Sequence, residues 1–270
     1  MSGTRFTDIR HFDSIDSTNR YLLDEARRGA PDGVVAVAGH QSAGRGRLGR
    51  RWEAPPGANL LLSVLLRPDL PADHRHLASA VVALAGTDAV DAVAGVNVGI
   101  KWPNDLLGPD GGKLAGVLAE ADLSAAAGEG AGEGAGQGGS AEAPIVVGIG
   151  INVNWPGPDD HLPVDLVGST TSVVLLTGRP LDRMVLLDAL LAALEPRVAD
   201  LGTTVGRSRQ ARDLRARCVT LGTPVRVELA HEHFEGTATD VTAEGHLVVE
   251  VGGEHRTVIA GDVVHLRPAG

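Results

Sequence analysis

Apolar runs and periodic apolar positions divide the chain into an α/β part and a β part. Strands are predicted at 5–11, 34–38, 60–66, 97–102, 113–120 and 145–153, and helices at 17–28, 74–93, 180–200 and 207–217. Asp16 or Ser17 is a suitable N-cap for the first helix, and Gly29 is a suitable stop. Strands interspersed with helices over the first 218 residues predict one α/β body.

The pattern changes after Thr220, where short alternating strands are separated by glycines. These strands are predicted at 225–229, 237–241, 247–251, 256–259 and 263–266. Five short strands in so small a segment favour a small β-barrel attached to the α/β body. We therefore expect two domains, residues 1–218 and residues 219–270.

A segment rich in glycine and alanine separates two of the predicted core strands. Residues 125–143 read AAAGEGAGEGAGQGGSAEA, and such side chains cannot offset the entropy of ordering the backbone. Core strands flank the segment on both sides. We therefore interpret residues 123–143 as a disordered insertion in the body rather than a linker between domains.

Composition and charge exclude several classes of protein. The 270 residues carry a net charge of −10, with 43% apolar residues and a single cysteine, Cys218. An acidic balance argues against nonspecific binding to the phosphate backbone of nucleic acid. No apolar run reaches the roughly 18 residues of a membrane span, and the N-terminus has no signal core. The expected class is a soluble, cytoplasmic globular protein without an internal disulfide.

Basic residues cluster in one glycine-containing loop. Arg45, Arg47, Arg50 and Arg51 lie within seven positions, and residues 44–49 match the GxGxxG pattern. Prolines follow at 55 and 56, where a dinucleotide-binding fold would start a helix, so that match is discounted. One guanidinium group can donate two parallel hydrogen bonds to the oxygens of a phosphate. The cluster therefore favours a loop that closes on a phosphorylated ligand. An exposed basic turn is the alternative.

Both lysines of the chain belong to short motifs close to this loop in sequence. Lys101 begins KWPND, in which polar residues follow a strand, and Lys113 begins KLAGV, in which Gly116 interrupts a strand. Such positions favour a ligand crevice, because glycine in a strand often marks a close approach. Ordinary turn chemistry explains KWPND equally well, and an edge lysine with a bulge is the alternative for KLAGV.

The strand at 145–153 has two unlike faces. Period-two alternation places Val147 and Ile149 on one face and Gly148, Gly150 and Asn152 on the other. The glycine face leaves room for a flat ring, which Asn152 would contact. Close packing of a helix on the glycines is the alternative.

Five motifs in this order resemble the biotin protein ligases. They are DSTN at 16–19, GRGRLGRRW at 44–52, KWPND at 101–105, KLAGVL at 113–118 and GIGINV at 148–153. The resemblance implies an α+β fold with a mixed sheet, like the catalytic domain of class II synthetases and biotin/lipoate ligases, followed by a C-terminal SH3-like barrel. Because the first strand begins near residue 5, the family's N-terminal DNA-binding domain is expected to be absent.

The resemblance also implies a reaction and its site. The family uses ATP and Mg²⁺ to form biotinyl-5′-AMP, and then transfers biotin to a lysine of a biotin carboxyl carrier domain in acyl-CoA or pyruvate carboxylases. The implied catalytic residues are Lys113, Arg47 and Asp105, with Asp105 also a candidate ligand for Mg²⁺. The implied biotin-binding residues are Ser17, Thr18, Asn19, Gln41, Gly44, Arg45, Gly46, Arg47, Lys113, Gly116, Gly148 and Gly150. The implied ATP-binding residues are Arg45, Arg47, Arg50, Trp52, Lys101, Asn104, Lys113 and Asn152.

Three alternatives remain from the sequence. A lipoate-protein ligase shares the scaffold, although the arginine loop followed by Trp52 favours biotin. A nucleic-acid-binding or regulatory module would use the same loop, and a biotin sensor without activity would keep the same pocket.

The arginine loop departs from the family pattern at Leu48, where some relatives carry another basic residue. The sequence predicts no specific DNA binding and no membrane association.

Overall fold

A seven-stranded mixed sheet forms the centre of the larger part of the molecule. The computed structural model describes residues 3–121, 143–164, 166–229, 231–259 and 261–266. The strands of this sheet are β1 (Ile9–Phe12), β2 (Val35–Ala38), β3 (Leu60–Leu66), β4 (Gly99–Lys101), β5 (Asp105–Leu107), β6 (Lys113–Ala121) and β7 (Ile145–Ile151). Their order is β1-β2-β3-β7-β6-β5-β4. Only β1 and β2 run parallel among these pairs, and the others are antiparallel.

Helices cover both faces of this sheet. They are α1 (Thr18–Arg27), α2 (Leu77–Ala94), α3 (Val173–Thr177), α4 (Arg183–Leu201) and α5 (Thr204–Arg217). α2 packs on α4, α5 and one face of the sheet, whereas α1 packs on the other face. The alternation in β7 follows this division, since Val147 and Ile149 lie in the larger core and Val146 lies with Leu22 of α1.

Helix α2 is long and apolar enough to span a membrane by length and composition, but 67% of it is buried inside the protein. Its buried positions lie all around the helix, as expected for a helix enclosed by a sheet and other helices.

Helix α1, in contrast, has one apolar face. Ser17 caps α1 by accepting from the backbone N–H of Arg20, and Gly29 follows the helix with a φ of +86°. Both predicted ends of α1 are therefore confirmed.

The C-terminal part is a five-stranded antiparallel sheet, in agreement with the predicted small β domain. Its strands are β8 (Pro224–Glu228), β9 (His233–Val241), β10 (Leu247–Val251), β11 (Glu254–Val258) and β12 (Asp262–His265). Their order is β11-β10-β9-β8-β12. Buried side chains of this sheet, such as Val225 and Leu247, belong to the same hydrophobic core as Leu214 of α5.

Three elements differ from the sequence-based expectation. Residues 105–107 form β5, where the sequence suggested only a turn, because the short run pairs with both β4 and β6. The short helix α3 was not predicted. β1 also begins later than the expected strand at 5–11. The predicted disordered insertion falls almost wholly outside the described residues, which resume at Ala143, itself buried.

Candidate active site

A narrow polar cavity lies over β3, β6 and β7, between the start of α1 and the arginine loop. It encloses about 500 Å³ of space, including solvent at its mouth. Its walls are Ser17, Thr18, Asn19, Gln41, Arg45, Gly46, Arg47, Trp52, Leu62, Ser63, Asn104, Lys113, Gly116, Val117, Leu118, Gly148, Ile149 and Gly150. Most of the residues implied by the family resemblance therefore meet in one cavity, although their positions span more than 130 residues of sequence.

Hydrogen-bonding side chains form the floor of the cavity. The backbone N–H of Thr18 donates to Oε1 of Gln41 at 2.8 Å, and its hydroxyl lies 2.7 Å from Oγ of Ser63. Ser63 in turn donates to Oδ1 of Asn19 at 2.6 Å. Thr18, Asn19 and Ser63 are buried. Buried polar groups need partners, so this connected set fixes the orientation of the groups that face the cavity.

Ser63 was missed by the sequence analysis. It lies in the otherwise apolar run of β3 and is fully buried. A single hydroxyl inside an apolar strand is a usable signal, because burying it without a partner costs free energy. That signal identifies Ser63 as a position with a polar partner, but not which partner it contacts.

The glycine face of the sheet holds the indole of Trp52. A methyl group at Gly150 would lie 2.6 Å from Cε2 of Trp52, and one at Gly116 would lie 3.2 Å from Cζ3. A flat ring thus lies against Gly150, where a side chain would clash, and close to Gly116, where a side chain would be tight. The glycine face accommodates a ring as the pattern of this strand predicted, but the ring in this structure belongs to the protein. The Nε1 of Trp52 is buried without a hydrogen-bond partner among the described residues.

Lys113 lines the cavity and forms an ion pair with Asp105, which itself lies outside the cavity walls. Nζ of Lys113 lies 2.7 Å from Oδ1 of Asp105, and 5.7 Å from the centroid of a Trp52 ring. The pairing of β5 with β6, in which Asp105 is opposite Gly116, brings these side chains together. A cation beside a carboxylate in a partly buried site is suited to stabilising an anion or accepting a proton.

The arginine loop crosses the mouth of the cavity. It contains a 3₁₀ turn at Arg47–Gly49, in which Leu48 adopts a φ of +56°, an uncommon conformation for a residue other than glycine. Leu48 is also 72% exposed. Its backbone strain is therefore not offset by burial of its side chain.

Arginines of the loop bind groups on two sides of the cavity. Arg45 pairs with Glu120 of β6 at 3.1 Å. Arg47 donates to Oδ1 of Asn104 at 3.1 Å and to the carbonyl of Gly261 at 2.9 Å. Arg50 forms an ion pair with Asp262 in the C-terminal sheet. The loop is thus held between the body and the C-terminal sheet.

Some of the implied residues lie outside the walls of this cavity. Asn152 is buried and donates to the backbone carbonyls of Lys113 and Thr171, while it accepts from Asn59. Lys101 lies near His265, whose pKa is lowered first by burial and second by the charge of Lys101. The structure brings neither side chain to the floor or the glycine face. Their nucleotide-binding roles stay predictions.

Gly44 and Arg50 also lie outside that cavity, on the other side of the arginine loop. A second, more open space of about 950 Å³, including solvent at its mouth, lies there, and both residues contribute to its walls. A methyl group at Gly44 would lie 2.3 Å from the carbonyl oxygen of Trp52. Gly44 therefore allows the two ends of the loop to approach each other.

Two family models match this chain. A model described as the Biotin/lipoate A/B protein ligase family matches residues 11–129, and one described as the Biotin protein ligase C terminal domain matches residues 220–266. Both parts of the chain therefore match models of the biotin/lipoate ligase class.

Two relatives that align with this chain over more than 90% of both lengths identify the family within this class. The chain is 39% identical to a biotin–[acetyl-CoA-carboxylase] ligase of Mycobacterium tuberculosis, over 98% of this chain and 91% of that protein. It is 32% identical to a ligase of the same name from Paracoccus denitrificans, over 92% and 96% of the two chains. The chain belongs to the biotin protein ligase family.

A solved structure has the same fold along the whole chain. The biotin protein ligase of Aquifex aeolicus in complex with biotin and ATP superposes with a TM-score of 0.77 at 23% identity, and covers 97% of this chain and 100% of its own. This likeness includes both the body and the C-terminal sheet.

Proposed function

We propose that this protein is a biotin protein ligase that joins biotin to a lysine of a carrier domain in two steps. In the first, a biotin carboxylate oxygen attacks the α-phosphorus of ATP, which forms biotinyl-5′-AMP and releases pyrophosphate. In the second, the ε-amine of the carrier lysine attacks the acyl carbon, which forms an amide and releases AMP. The observation that carries the proposal is the juxtaposition of Lys113 and the arginine loop with a polar floor.

Each end of the cavity suits one part of the intermediate. The floor of Thr18, Asn19, Gln41 and Ser63 offers hydrogen-bond donors and acceptors to the ureido group of biotin. At the other end, Lys113 and the loop arginines Arg45 and Arg47 place positive charge where the carboxylate and the α-phosphate must meet. Holding two anions in contact requires such charge, and positioning them lowers the barrier further.

The same floor argues against lipoate as the substrate. Lipoate carries a dithiolane ring without N–H or carbonyl groups, so it has no group that can exchange hydrogen bonds with the polar side chains of the floor, whereas the ureido group of biotin has both donors and an acceptor. Biotin is therefore favoured by this cavity.

Asp105 contacts Lys113 in the resting site and is a candidate base during transfer. Its carboxylate holds the ammonium group of Lys113, and either Asp105 or solvent accepts the proton of the carrier lysine. That amine has an ordinary pKa of about 10.4, so it must lose a proton before it attacks.

Magnesium enters as part of the substrate MgATP. Among the described residues no group of three His, Cys, Asp or Glu side chains is arranged to hold a metal ion. One carboxylate with phosphate oxygens is a common way to bind Mg²⁺. Asp105 is the residue that would hold the ion, which would offset the phosphate charge when bound.

The proposed partner is the biotin carboxyl carrier domain of an acyl-CoA or pyruvate carboxylase. The name of the Mycobacterium tuberculosis relative specifies acetyl-CoA carboxylase. We propose a cytoplasmic location, without specific DNA binding or membrane association.

Mass spectrometry of a carrier domain tests this function directly. The chain is incubated with biotin, MgATP and the carrier domain, and the expected product is the carrier plus one biotinyl group on its acceptor lysine. A parallel reaction with lipoate is expected to leave the carrier unmodified. Modification by lipoate alone would contradict the choice of substrate, and no modification by either would contradict the ligase function.

A further inference from the structure

The carboxylate of Glu120 connects the floor of the cavity to the arginine loop. Its Oε2 accepts from Nδ2 of Asn19 at 2.8 Å, and its Oε1 lies 3.1 Å from Nη1 of Arg45. Glu120 lies near the end of β6, and its side chain is 25% exposed. One side chain therefore contacts both regions that the proposed function assigns to different parts of the intermediate.

On the floor side, Asn19 is held by three groups. Its Oδ1 accepts from Ser63, and its Nδ2 donates to Glu120 and, at 3.2 Å, to the carbonyl of Leu118. Gly148 leaves space for this amide, because a methyl group there would lie 2.3 Å from Oδ1. These bonds fix the orientation of the Asn19 amide, with its oxygen towards Ser63 and its nitrogen towards Glu120.

On the loop side, Arg45 depends on Glu120 for its ion pair with the sheet. Its side chain is 60% exposed, and it borders both the cavity and the second space behind the loop. Glu120 borders that second space as well. A change in the orientation of Glu120 therefore acts on the loop through Arg45.

We propose that Glu120 is a positioning residue that couples occupancy of the floor to closure of the arginine loop. A biotin ring on the floor restrains Asn19, which restrains Glu120 in the orientation that pairs with Arg45. Loop closure then becomes more favourable before ATP arrives. This coupling rests on the proposed function, because it takes biotin as the occupant of the floor.

Replacement of Glu120 by glutamine should remove one of its two contacts, the one with Asn19 or the one with Arg45. Asn19 Nδ2 and Arg45 both present N–H donors, so both need an acceptor at position 120. A carboxylate has two acceptor oxygens, whereas an amide has one acceptor and one donor. The Glu120→Gln variant keeps the side-chain volume and must lose one of the two contacts.

Hydrogen exchange of residues 44–52, measured with and without saturating biotin, tests the coupling. In the wild type, biotin is expected to slow exchange of the loop by about fivefold or more, and in Glu120→Gln by about twofold or less. A role confined to the shape of the floor would raise the Kd for biotin but leave the protection at saturation unchanged. Glu232→Gln is the matched control, because Glu232 forms a similar ion pair with Arg256 in the C-terminal sheet.

A double-mutant cycle with Arg45→Gln gives a second measurement. If the two residues act through one contact, the double variant loses no more loop protection than either single variant. Equal protection in Glu120→Gln and the wild type, or additive losses in the cycle, would overturn the coupling. Arg45→Gln leaves β6 unchanged, so it carries the test if Glu120→Gln does not fold.

Failure of the proposed function can be distinguished from failure of the coupling. If the wild type does not bind biotin, the function is wrong, and the contact is then measured without ligand. Exchange of 17–20 and 44–52 in the free protein is expected to be faster in Glu120→Gln than in the wild type and in Glu232→Gln. Unchanged exchange in both segments would overturn the contact itself.

Discussion

The guanidinium of Arg47 donates both to the side chain of Asn104 and to the backbone of Gly261. It therefore joins three segments that are far apart in sequence: the arginine loop, the turn before β5 and the turn before β12. The loop in this structure lies over the cavity. Carboxylates of the protein, Glu120 and Asp262, pair with Arg45 and Arg50 of the loop.

Loss of the Lys113 ammonium group is expected to abolish most adenylate formation. Lys113→Ala removes a positive charge from the point where two anions meet, and we expect the rate to fall by about 10²- to 10³-fold. Pyrophosphate release measures this step. Lys113→Arg keeps the charge and is expected to retain more activity than alanine. Near-normal rates in Lys113→Ala would remove the residue from the mechanism.

Addition of one methyl group at Gly150 is expected to displace Trp52. The new carbon would lie 2.6 Å from Cε2 of the indole. Overpacking of this kind costs about 1–3 kcal/mol of stability, and we expect biotin to bind more weakly because the indole shifts within the cavity. Calorimetry measures the affinity, and a change in tryptophan fluorescence, to which Trp102 and Trp155 also contribute, indicates the displacement. Gly202→Ala, at the end of α4 where the nearest atom is 3.6 Å away, is the matched control.

Removal of the Ser63 hydroxyl is expected to weaken binding of biotin with little effect on ATP. Ser63→Ala leaves Oδ1 of Asn19 without this donor, a loss of about 1–3 kcal/mol shared between folding and binding. Titration with biotin and thermal unfolding separate the two parts. Ser14→Ala removes an exposed hydroxyl that contacts only His40 in the described residues. An unchanged biotin affinity in Ser63→Ala would contradict a binding role for the floor.

Neutralisation of Asp262 is expected to loosen the arginine loop. The ion pair with Arg50 is partly exposed, at 58% and 20% of the two side chains, so its contribution is about 0.2–1 kcal/mol. Asp262→Asn should therefore speed exchange of 44–52 by at most about fivefold, and added salt should reduce the difference. Asp240→Asn, which breaks a similar pair with Arg215, is the control.

The stability of the fold is expected to decrease below neutral pH. Burial lowers the pKa of His76 and of His265 from their ordinary value of 6.5. The unfolded state binds protons on these groups at a higher pH than the folded state does. Their contribution is therefore complete above about pH 6.5 and is lost as the pH falls towards the folded-state values. Urea unfolding at several pH values measures this slope.

A double substitution tests which groups cause that slope. His76→Gln with His265→Gln should flatten the dependence just below about pH 6.5. The lowered pKa values of carboxyl groups such as Glu195 act at more acidic pH and should remain. A slope that is unchanged in the double variant would contradict the assignment.

Local patterns predicted the elements well, because they depend on neighbours in sequence. The run at 60–66 has the bounds of β3, and Ser17 and Gly29 mark the ends of α1. These patterns could not predict contacts between segments that are far apart in sequence. Nothing near Glu120 in sequence indicates Asn19 or Arg45, and the pairing that makes 105–107 a strand comes from β4 and β6.

The two sheets share one hydrophobic core, and this has a practical consequence for truncation. Nε1 of Trp102 donates to the carbonyl of Gly245, and the backbone N–H of Trp102 donates to the hydroxyl of Thr220. A polypeptide ending near residue 218 would leave this indole and the adjoining aliphatic surface in water. We therefore expect the amino-terminal fragment to aggregate when it is expressed alone, and to recover solubility when the missing strands are supplied as a separate chain.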